Sequence, residues 1–270
     1  MSYLFLTLAL LSSVSIALLL NVFEQKQRNR TVIVASNYIA AGTLGYLFSR
    51  ETQVTAAALA FGTVVGLGFF IGFVLLFLAV KKKGIASTIT IGRLSLAIPV
   101  GLSILLWGEK PILIDLLALL LIFYIILSWE GKIGKISPVL LTIFFVFGLL
   151  DSAMKFFKLE FPSLDDSAFL IIVFYSAMVW GWLYILASRQ KPKWKDIVWG
   201  LLLGIPNFFS SYFLLKALGL IPAYVVFPFI NIGIIILSAL AGYFLFKEEL
   251  GPKKVLLILL GIIAVFFLSA

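Results

Sequence analysis

Ten long, predominantly apolar stretches follow one another along this chain, and short polar connections separate them. A transmembrane helix needs about 20 such residues, because the hydrocarbon core of a bilayer is about 30 Å thick. The stretches have about that length, so the sequence predicts an all-α polytopic membrane protein with ten transmembrane helices. The predicted helices cover residues 3–22, 32–49, 54–80, 84–107, 111–129, 137–157, 167–187, 196–216, 220–246 and 254–270.

The composition excludes several classes of function. Of the 270 residues, 63% are hydrophobic and 12% are charged, whereas a soluble domain is nearer half apolar and a quarter charged. The absence of cysteine and histidine removes disulfides, metal sites built on those residues and histidine acid–base catalysis. We therefore expect neither an enzyme nor a bound metal or cofactor. The uncharged segment 1–23 lacks the basic region and cleavage site of a signal peptide, so we predict a retained helix.

Lysine and arginine are distributed unevenly between alternate loops. Fifteen lie on one side, five lie on the other, and one is inside a predicted helix. Cytoplasmic loops carry the excess of basic residues. We therefore predict a protein of the cell membrane (inner or plasma membrane) whose first side faces the cytoplasm and whose two termini lie on the outer side. We attribute the net charge of +9 to these same loops. A nucleic-acid partner is not expected, because the sequence has no basic face or aromatic motif of the kind that binds nucleic acids. The five basic residues of the outer side are Arg50, Lys110, Lys155, Lys158 and Lys216.

Two segments, one in each half of the chain, share one pattern. Ala79–Glu109 and Ala217–Glu249 each begin at an apolar helix end, pass through a short turn and continue as a long apolar helix with one polar side chain. At an offset of 138 residues, that side chain is Arg93 in the first segment and Asn231 in the second. An internal duplication of this kind is the architecture of many secondary transporters.

Each half of the chain contains five predicted helices, with residues 1–134 as the first repeat and 135–270 as the second. An odd number of spans forces the second repeat to insert upside down, and inverted repeats place a substrate site near the bilayer midplane. Both segments end in a corner where a glutamate, Glu109 or Glu248, follows an aromatic residue. We predict that these glutamates cap loops and helix N-termini.

The segment Gly204–Leu260 resembles a known family. It reads GIPNFFSSYFLLKALGLIPAYVVFPFINIGIIILSALAGYFLFKEELGPKKVLLILL and is similar to the eighth to tenth helices of ten-helix, EamA-type members of the drug/metabolite transporter superfamily. The shared features are an alanine–turn–proline–alanine sequence, a proline-bearing ninth helix and the glutamate corner, and residues 60–125 repeat them more weakly. The resemblance implies a transporter of amino acids, other small metabolites, sugars, nucleotide-sugars or cationic drugs, with export favoured.

Two features depart from that family. Its four-helix multidrug relatives bind protons and cations through a glutamate in the first helix, whereas residues 3–22 here contain no acidic residue. This difference argues against exchange of cationic drugs. Many EamA-type proteins are drawn with both termini inside, whereas the charge distribution here places both termini outside.

Arg93 is the candidate with the clearest physical argument. It lies ten residues beyond Lys83 on a predicted helix, which is about 15 Å along the helix axis. An arginine at that depth costs at least ~3 kcal/mol on insertion scales, so it should face a cavity or a partner. Its guanidinium can hold a substrate carboxylate or phosphate through two parallel hydrogen bonds. Pairing with an acid or a helix carbonyl, or extension to the headgroups, is the structural alternative.

Polar residues beside prolines are further candidates. Asn207 follows Pro206, and Asn231 lies three residues after Pro228. Each proline removes a backbone donor and frees a carbonyl for other partners. An amide at such a position can orient a polar ligand or join two helices by a hydrogen bond.

Asp151 and Lys155 are four residues apart on one face of the sixth predicted helix. We expect this pair to neutralise itself, as opposite charges at that spacing do, and a role in gating or coupling is the alternative. Asn37 and Tyr38 interrupt the second predicted helix, and Trp180 lies in the seventh. An aromatic wall suits apolar or aromatic substrate groups, whereas packing or contact with lipid is the structural alternative.

The sequence therefore predicts a carrier that moves a small polar metabolite by alternating access, with an amino-acid-like, carboxylate-bearing substrate favoured. The alternatives are a carrier of cationic drugs or quaternary amines, or of sugars, nucleotide-sugars or lipids as a flippase. The expected partners are the small-molecule substrate and membrane lipids, and the expected state is a monomer, with a homodimer as the alternative. The predicted substrate-binding residues are Arg93, Asn231, Asn207, Asn37, Tyr38 and Trp180, and the predicted gating or coupling residues are Asp151 and Lys155.

Overall fold

The computed structural model describes residues 2–25, 28–50, 54–129, 137–247 and 249–268. Within these ranges every regular element is a helix, and no strand occurs. The helices are α1 (Ser2–Gln25), α2 (Arg30–Phe48), α3 (Ala56–Lys83), α4 (Ile85–Leu94), α5 (Ala97–Leu105), α6 (Leu113–Trp129), α7 (Pro138–Glu160), α8 (Asp166–Ala187), α9 (Trp194–Leu218), α10 (Ala223–Phe246) and α11 (Pro252–Leu268).

Long apolar helices dominate the part of the chain that the structure describes. Eight candidate spans there are long and apolar enough to cross a membrane, and one of them, Ser87–Leu105, runs through both α4 and α5. The predicted all-helical, multi-pass membrane character is confirmed at this level. Because α6 and α11 have 17 residues each and are shorter than these eight, the count of ten spans stays a prediction, as does their arrangement in inverted repeats.

Local sequence accounts for where several helices begin. The side chain of Asn29 accepts hydrogen bonds from the backbone amides of Thr31 and Val32 at 3.1 and 3.3 Å and so caps α2. Asp165 caps α8 in the same way. Pro138 and Pro252 are the first residues of α7 and α11, a position where the missing amide donor costs nothing.

The first of two packing units comprises Met1–Ile71 and Phe156–Gly219. In this unit α2 packs against α8 and α9, and α9 also packs against α1. Two glycines on one face of α9 permit the close approach of α2, because a Cβ at Gly200 or Gly204 would overlap the backbone carbonyl oxygen of Ile33 or Asn37. On α3, Gly62 and Gly66 likewise face α8, because a Cβ at Gly62 would lie 2.9 Å from the side chain of Ile172 and one at Gly66 would overlap the carbonyl oxygen of Val173.

The second packing unit comprises Gly72–Lys155 and Leu220–Ala270. In this unit α10 packs against α5 and α11, and α6 packs against α4 and α11. The predicted division into repeats 1–134 and 135–270 has its boundary among residues 130–136, which lie outside the described residues. Each packing unit takes residues from both predicted repeats.

The predicted span 84–107 is matched by one candidate span, Ser87–Leu105, whose helix is not regular throughout. α4 ends at Leu94 and α5 begins at Ala97, and the two residues between them, Ser95 and Leu96, keep right-handed helical backbone angles. The cause is Pro99, which has no amide hydrogen to donate to the carbonyl of Ser95 and whose ring clashes with a helical carbonyl four residues earlier. The amide of Ile98 donates to the Ser95 carbonyl instead, at 3.0 Å, through a tighter turn.

Candidate functional site

Arg93 lies beside the interruption of this span. It is the penultimate residue of α4, its side chain is half-buried, and its carbonyl accepts a hydrogen bond from the amide of Leu96 at 3.3 Å. The interruption is a tighter turn of the helix, since the amides of Leu96 and Ile98 donate to carbonyls three residues earlier and Ser95 and Leu96 keep helical backbone angles. Discontinuous helices frame the substrate sites of many secondary transporters, and this turn is a milder irregularity in the helix that carries Arg93.

Asn231 of α10 is the hydrogen-bond partner that the structure gives to Arg93. The Nη1 of Arg93 donates to the Oδ1 of Asn231 at 3.1 Å, and Asn231 is 8% exposed. The Nδ2 of Asn231 donates to the carbonyl of Phe227 at 2.9 Å, which fixes the amide with its oxygen toward the guanidinium. The two residues that the repeat offset pairs are thus in direct contact. A guanidinium carries five donors, and this bond uses one of them.

Asp151 of α7 is the acidic residue near this pair. A Cβ at Gly148, one helical turn before Asp151, would lie 2.7 Å from the carbonyl oxygen of Ser95, so α7 closely approaches the interrupted span. Asp151 lies near enough to Arg93 for the two ionisable groups to influence each other. Both side chains are half-buried. A basic, an acidic and an amide side chain, from three helices, therefore lie in one region of this unit.

Lys155, one turn beyond Asp151, forms an ion pair with Glu109. The Nζ of Lys155 lies 2.9 Å from Oε1 of Glu109, and the two side chains are 10% and 12% exposed. The carboxylate of Glu109 also accepts the backbone amides of Ala223 and Tyr224 at 2.9 and 3.2 Å, at the N-terminus of α10. A carboxylate at that end complements the helix dipole. This group joins the α5–α6 connection, α7 and α10.

The prediction that Lys155 neutralises Asp151 is wrong, because the structure pairs Lys155 with another acid. Lys155 contacts Glu109, and the electrostatic partner of Asp151 is Arg93. The predicted capping by Glu109 is confirmed by its two backbone hydrogen bonds. Glu248, its predicted counterpart, lies outside the described residues. The proposed gating or coupling roles of Asp151 and Lys155 stay predictions.

The remaining predicted binding residues belong to the first packing unit. The Nδ2 of Asn207 on α9 donates to the Oδ1 of Asn37 on α2 at 2.6 Å, and the Nδ2 of Asn37 donates to the carbonyl of Val34 at 2.7 Å. Asn37 is buried and Asn207 is half-buried. The amides thus join two helices, and contact with substrate stays a prediction for both.

The two aromatic candidates of this unit differ in exposure. Tyr38 is buried, and its ring stacks on Phe174 of α8 with 6.1 Å between the ring centroids. Trp180 is 41% exposed, whereas Trp182 packs half-buried against Val32 and Ile185. Trp180 is therefore available to a ligand or to lipid, and its role in binding stays a prediction.

A second charged cluster lies at one end of the first packing unit, and the sequence did not single it out. The carboxylate of Asp166 is 2% exposed and pairs with Lys158 at 2.7 Å and with Lys216 at 3.0 Å. The cluster lines a cavity of about 300 Å³ together with Arg50 and Asp165. No group of three or more acidic, histidine or cysteine side chains among the described residues could hold a metal ion.

The interruption of the fourth span is the main feature that the sequence reasoning missed. Its signal was present in Pro99, the fifth residue after Leu94 in a stretch read as one helix. The Lys155–Glu109 pair was missed because 46 residues separate its members and no local spacing links them. The glycine face at Gly200 and Gly204 has the spacing that marks close helix packing, so it could have been found.

Comparison with known proteins establishes the fold and leaves the family open. No protein-family profile matches the sequence. An uncharacterised protein of Haemophilus influenzae is 26% identical, over 97% of this chain and 96% of that protein. A solved crystal structure of a protein superposes with a TM-score of 0.78 over 98% of this chain and 95% of the other, at 14% identity. At that identity the likeness concerns the fold alone.

Proposed function

We propose that this protein is a secondary transporter that moves a small polar, carboxylate-bearing metabolite by alternating access, in the manner of ten-helix members of the drug/metabolite transporter superfamily. An amino-acid-like substrate is favoured, as is export across the cell membrane. The observation that carries the proposal is the interrupted span, with Arg93 beside the break and hydrogen-bonded to Asn231. A charged residue inside an apolar helix is costly, and such residues mark substrate or ion pathways.

In this proposal Arg93 binds the carboxylate of the substrate. Its planar guanidinium presents parallel donors that match the two oxygens of a carboxylate. Asn231 holds the guanidinium in place, since its own amide is fixed by Phe227. Asn37, Asn207, Tyr38 and Trp180 stay proposed contacts of the substrate.

The test is a binding and counterflow assay on Arg93→Gln. We expect purified wild-type protein to be stabilised thermally by amino acids or other carboxylates and to exchange them in proteoliposomes, since a ligand that binds the folded state stabilises it by mass action. Loss of the charged hydrogen bonds should weaken both effects about tenfold or more. Arg50→Gln is the matched control, because it makes the same change at an exposed arginine. Equal behaviour of the two variants would assign Arg93 a structural role.

A carrier of quaternary amines is the second candidate, and the observation that favours it is Asp151, a half-buried acid inside α7. Tetramethylammonium is a suitable probe. Stabilisation of the wild type by tetramethylammonium, lost in Asp151→Asn and retained in Arg93→Gln, would replace the carboxylate proposal with this one. Stabilisation by lipid alone would instead favour a flippase.

A further inference from the structure

The charged cavity at one end of the first packing unit has no role in the proposed transport. Its volume is about 300 Å³, and it lies where four helices begin or end. Arg50 follows α2, and Lys158 and Lys216 lie in the last turns of α7 and α9. Asp165 caps α8, and Asp166 is its first residue. Because these four helices are candidate membrane spans, the cavity lies at the level where a span meets the lipid headgroups.

The basic side chains of this cavity exceed what its buried carboxylate needs. Asp166 is 2% exposed, and its two oxygens lie 2.7 Å from the Nζ of Lys158 and 3.0 Å from the Nζ of Lys216. One ammonium neutralises one carboxylate, so the second lysine is in excess. Arg50 adds a third basic side chain, and among the described residues it forms no ion pair within 4.0 Å.

The acidic side chains of the cavity are engaged within the protein. Both oxygens of Asp166 contact lysines, and Oδ2 of Asp165 accepts the backbone amide of Ala168 at 3.3 Å as the cap of α8. Each ammonium has three donors, and each contacts one oxygen of Asp166. Donors therefore remain on both lysines and on the guanidinium of Arg50, and an anion that enters the cavity can accept them.

The distribution of basic residues along the chain adds to this argument. Only five of the 21 lysines and arginines belong to the outer side of the predicted topology, and three of those five line this one cavity. They come from three separate parts of the chain, so local sequence alone does not bring them together. Basic pockets between membrane helices at the headgroup level are characteristic binding sites for anionic phosphates.

We propose that this cavity binds an anionic phosphate group, supplied by a phospholipid headgroup or by a soluble phosphate. The planar guanidinium of Arg50 matches two phosphate oxygens, and the ammonium groups of Lys158 and Lys216 donate to the others. This binding site belongs to the first packing unit, whereas Arg93 belongs to the second. The inference therefore goes beyond the proposed transport function and does not depend on it.

The experiment measures thermal stabilisation of the purified wild-type protein in a neutral detergent, because a ligand that binds the folded state stabilises it. The lipid arm compares phosphatidylglycerol with phosphatidylcholine and with oleate, an anionic lipid without phosphate, at equal mole fractions. The soluble arm compares inorganic phosphate and glycerol 3-phosphate with acetate at matched ionic strength. In at least one arm we expect the anionic phosphate to bind about tenfold more tightly than its controls.

Variants then test whether binding occurs in the cavity. Arg50→Gln and Lys216→Gln each remove one basic side chain and keep the Lys158–Asp166 ion pair, and each should weaken binding of the anionic phosphate about tenfold. The matched control is Lys110→Gln, because Lys110 is exposed, lies on the same side of the predicted topology and does not line the cavity. It should bind like the wild type.

A response in the lipid arm alone identifies a phospholipid headgroup as the ligand, and a response in the soluble arm alone identifies a free phosphate. Equal stabilisation by phosphatidylglycerol and oleate, and by phosphate and acetate, would reduce the effect to general attraction of anions and overturn the inference. An equal loss in Lys110→Gln would overturn it as well, as would the absence of a response in both arms. Exchange of carboxylates should be unchanged in Arg50→Gln, so failure of this inference and failure of the transport proposal are distinguishable.

Discussion

The two packing units treat polar groups in opposite ways. The second unit keeps ionisable side chains inside its helices, with Arg93 near the end of α4 and Asp151 and Lys155 within α7. The first unit joins its helices internally through neutral groups, such as the Asn37–Asn207 amide pair, and the Asp166 cluster stands at helix ends.

This difference indicates where the chain accepts an energetic cost. A charge at the centre of a membrane helix costs about 2.5–3.5 kcal/mol on insertion scales, whereas amides and glycines let helices approach at little cost. The first unit is therefore built mainly for close packing. The second retains expensive groups around a helix break, which is the pattern expected of a substrate site.

The largest expected effect on stability comes from Glu109→Gln. This substitution removes the counter-charge of Lys155, which is 8% exposed, and weakens the cap on α10. Breaking a buried ion pair by removing one partner typically costs about 3–5 kcal/mol, and we expect about 3 kcal/mol in the free energy of unfolding measured by SDS titration.

The matched control is Lys216→Gln in the first unit. Lys216 is 32% exposed, and its partner Asp166 keeps Lys158 at 2.7 Å, so the loss should stay below about 1 kcal/mol. Equal losses in the two variants would show that the two clusters have the same energetic role.

Gly204→Ala should have the next largest effect. A Cβ there would overlap the carbonyl oxygen of Asn37 and would lie 2.6 Å from the Cβ of Ala40, so α2 and α9 must move apart. Such overpacking costs about 1–3 kcal/mol. Gly101→Ala is the control, because a Cβ at Gly101 meets nothing within 4 Å and the substitution should stabilise α5 by up to about 1 kcal/mol. A stable Gly204→Ala variant would contradict the view that the first unit depends on this contact.

What the sequence could predict depended on whether the signal was local. Apolar length located the long helices, and the glutamate corner located the cap made by Glu109. The offset between the two similar segments singled out Arg93 and Asn231, which the structure joins by a hydrogen bond. Each of these signals lies within one short stretch of sequence or is found by comparing two such stretches.

The features that were missed depend on how helices meet. Lys155 has an acidic residue at helical spacing, Asp151, but that spacing points to the wrong partner. The pair with Glu109 forms only once α7 packs beside the α5–α6 connection. Gly148 shows its role only once the Ser95 carbonyl is opposite it. Pro99 was a local signal, but the apolar residues on both sides of it are those of an uninterrupted span.

The smallest expected change in free energy, and the sharpest test of the contrast between the units, comes from Pro99→Ala. In a regular helix the carbonyl of Ser95 accepts a hydrogen bond from the amide of residue 99, which proline lacks and alanine supplies. α4 and α5 can then join, and the free energy of unfolding should be equal or higher. A continuous helix would turn Arg93 relative to Asn231, and we expect counterflow in proteoliposomes to fall about tenfold, which corresponds to about 1.4 kcal/mol.

Pro206→Ala is the control for this last prediction, because α9 runs through Pro206 without interruption. It should leave counterflow unchanged, since no break exists there to be repaired. Normal transport by Pro99→Ala would mean that the interruption is a packing feature and would remove the observation on which the transport proposal depends. Reduced transport by both variants would place proline-dependent motion in both units, and the contrast between a packing unit and a binding unit would then be wrong.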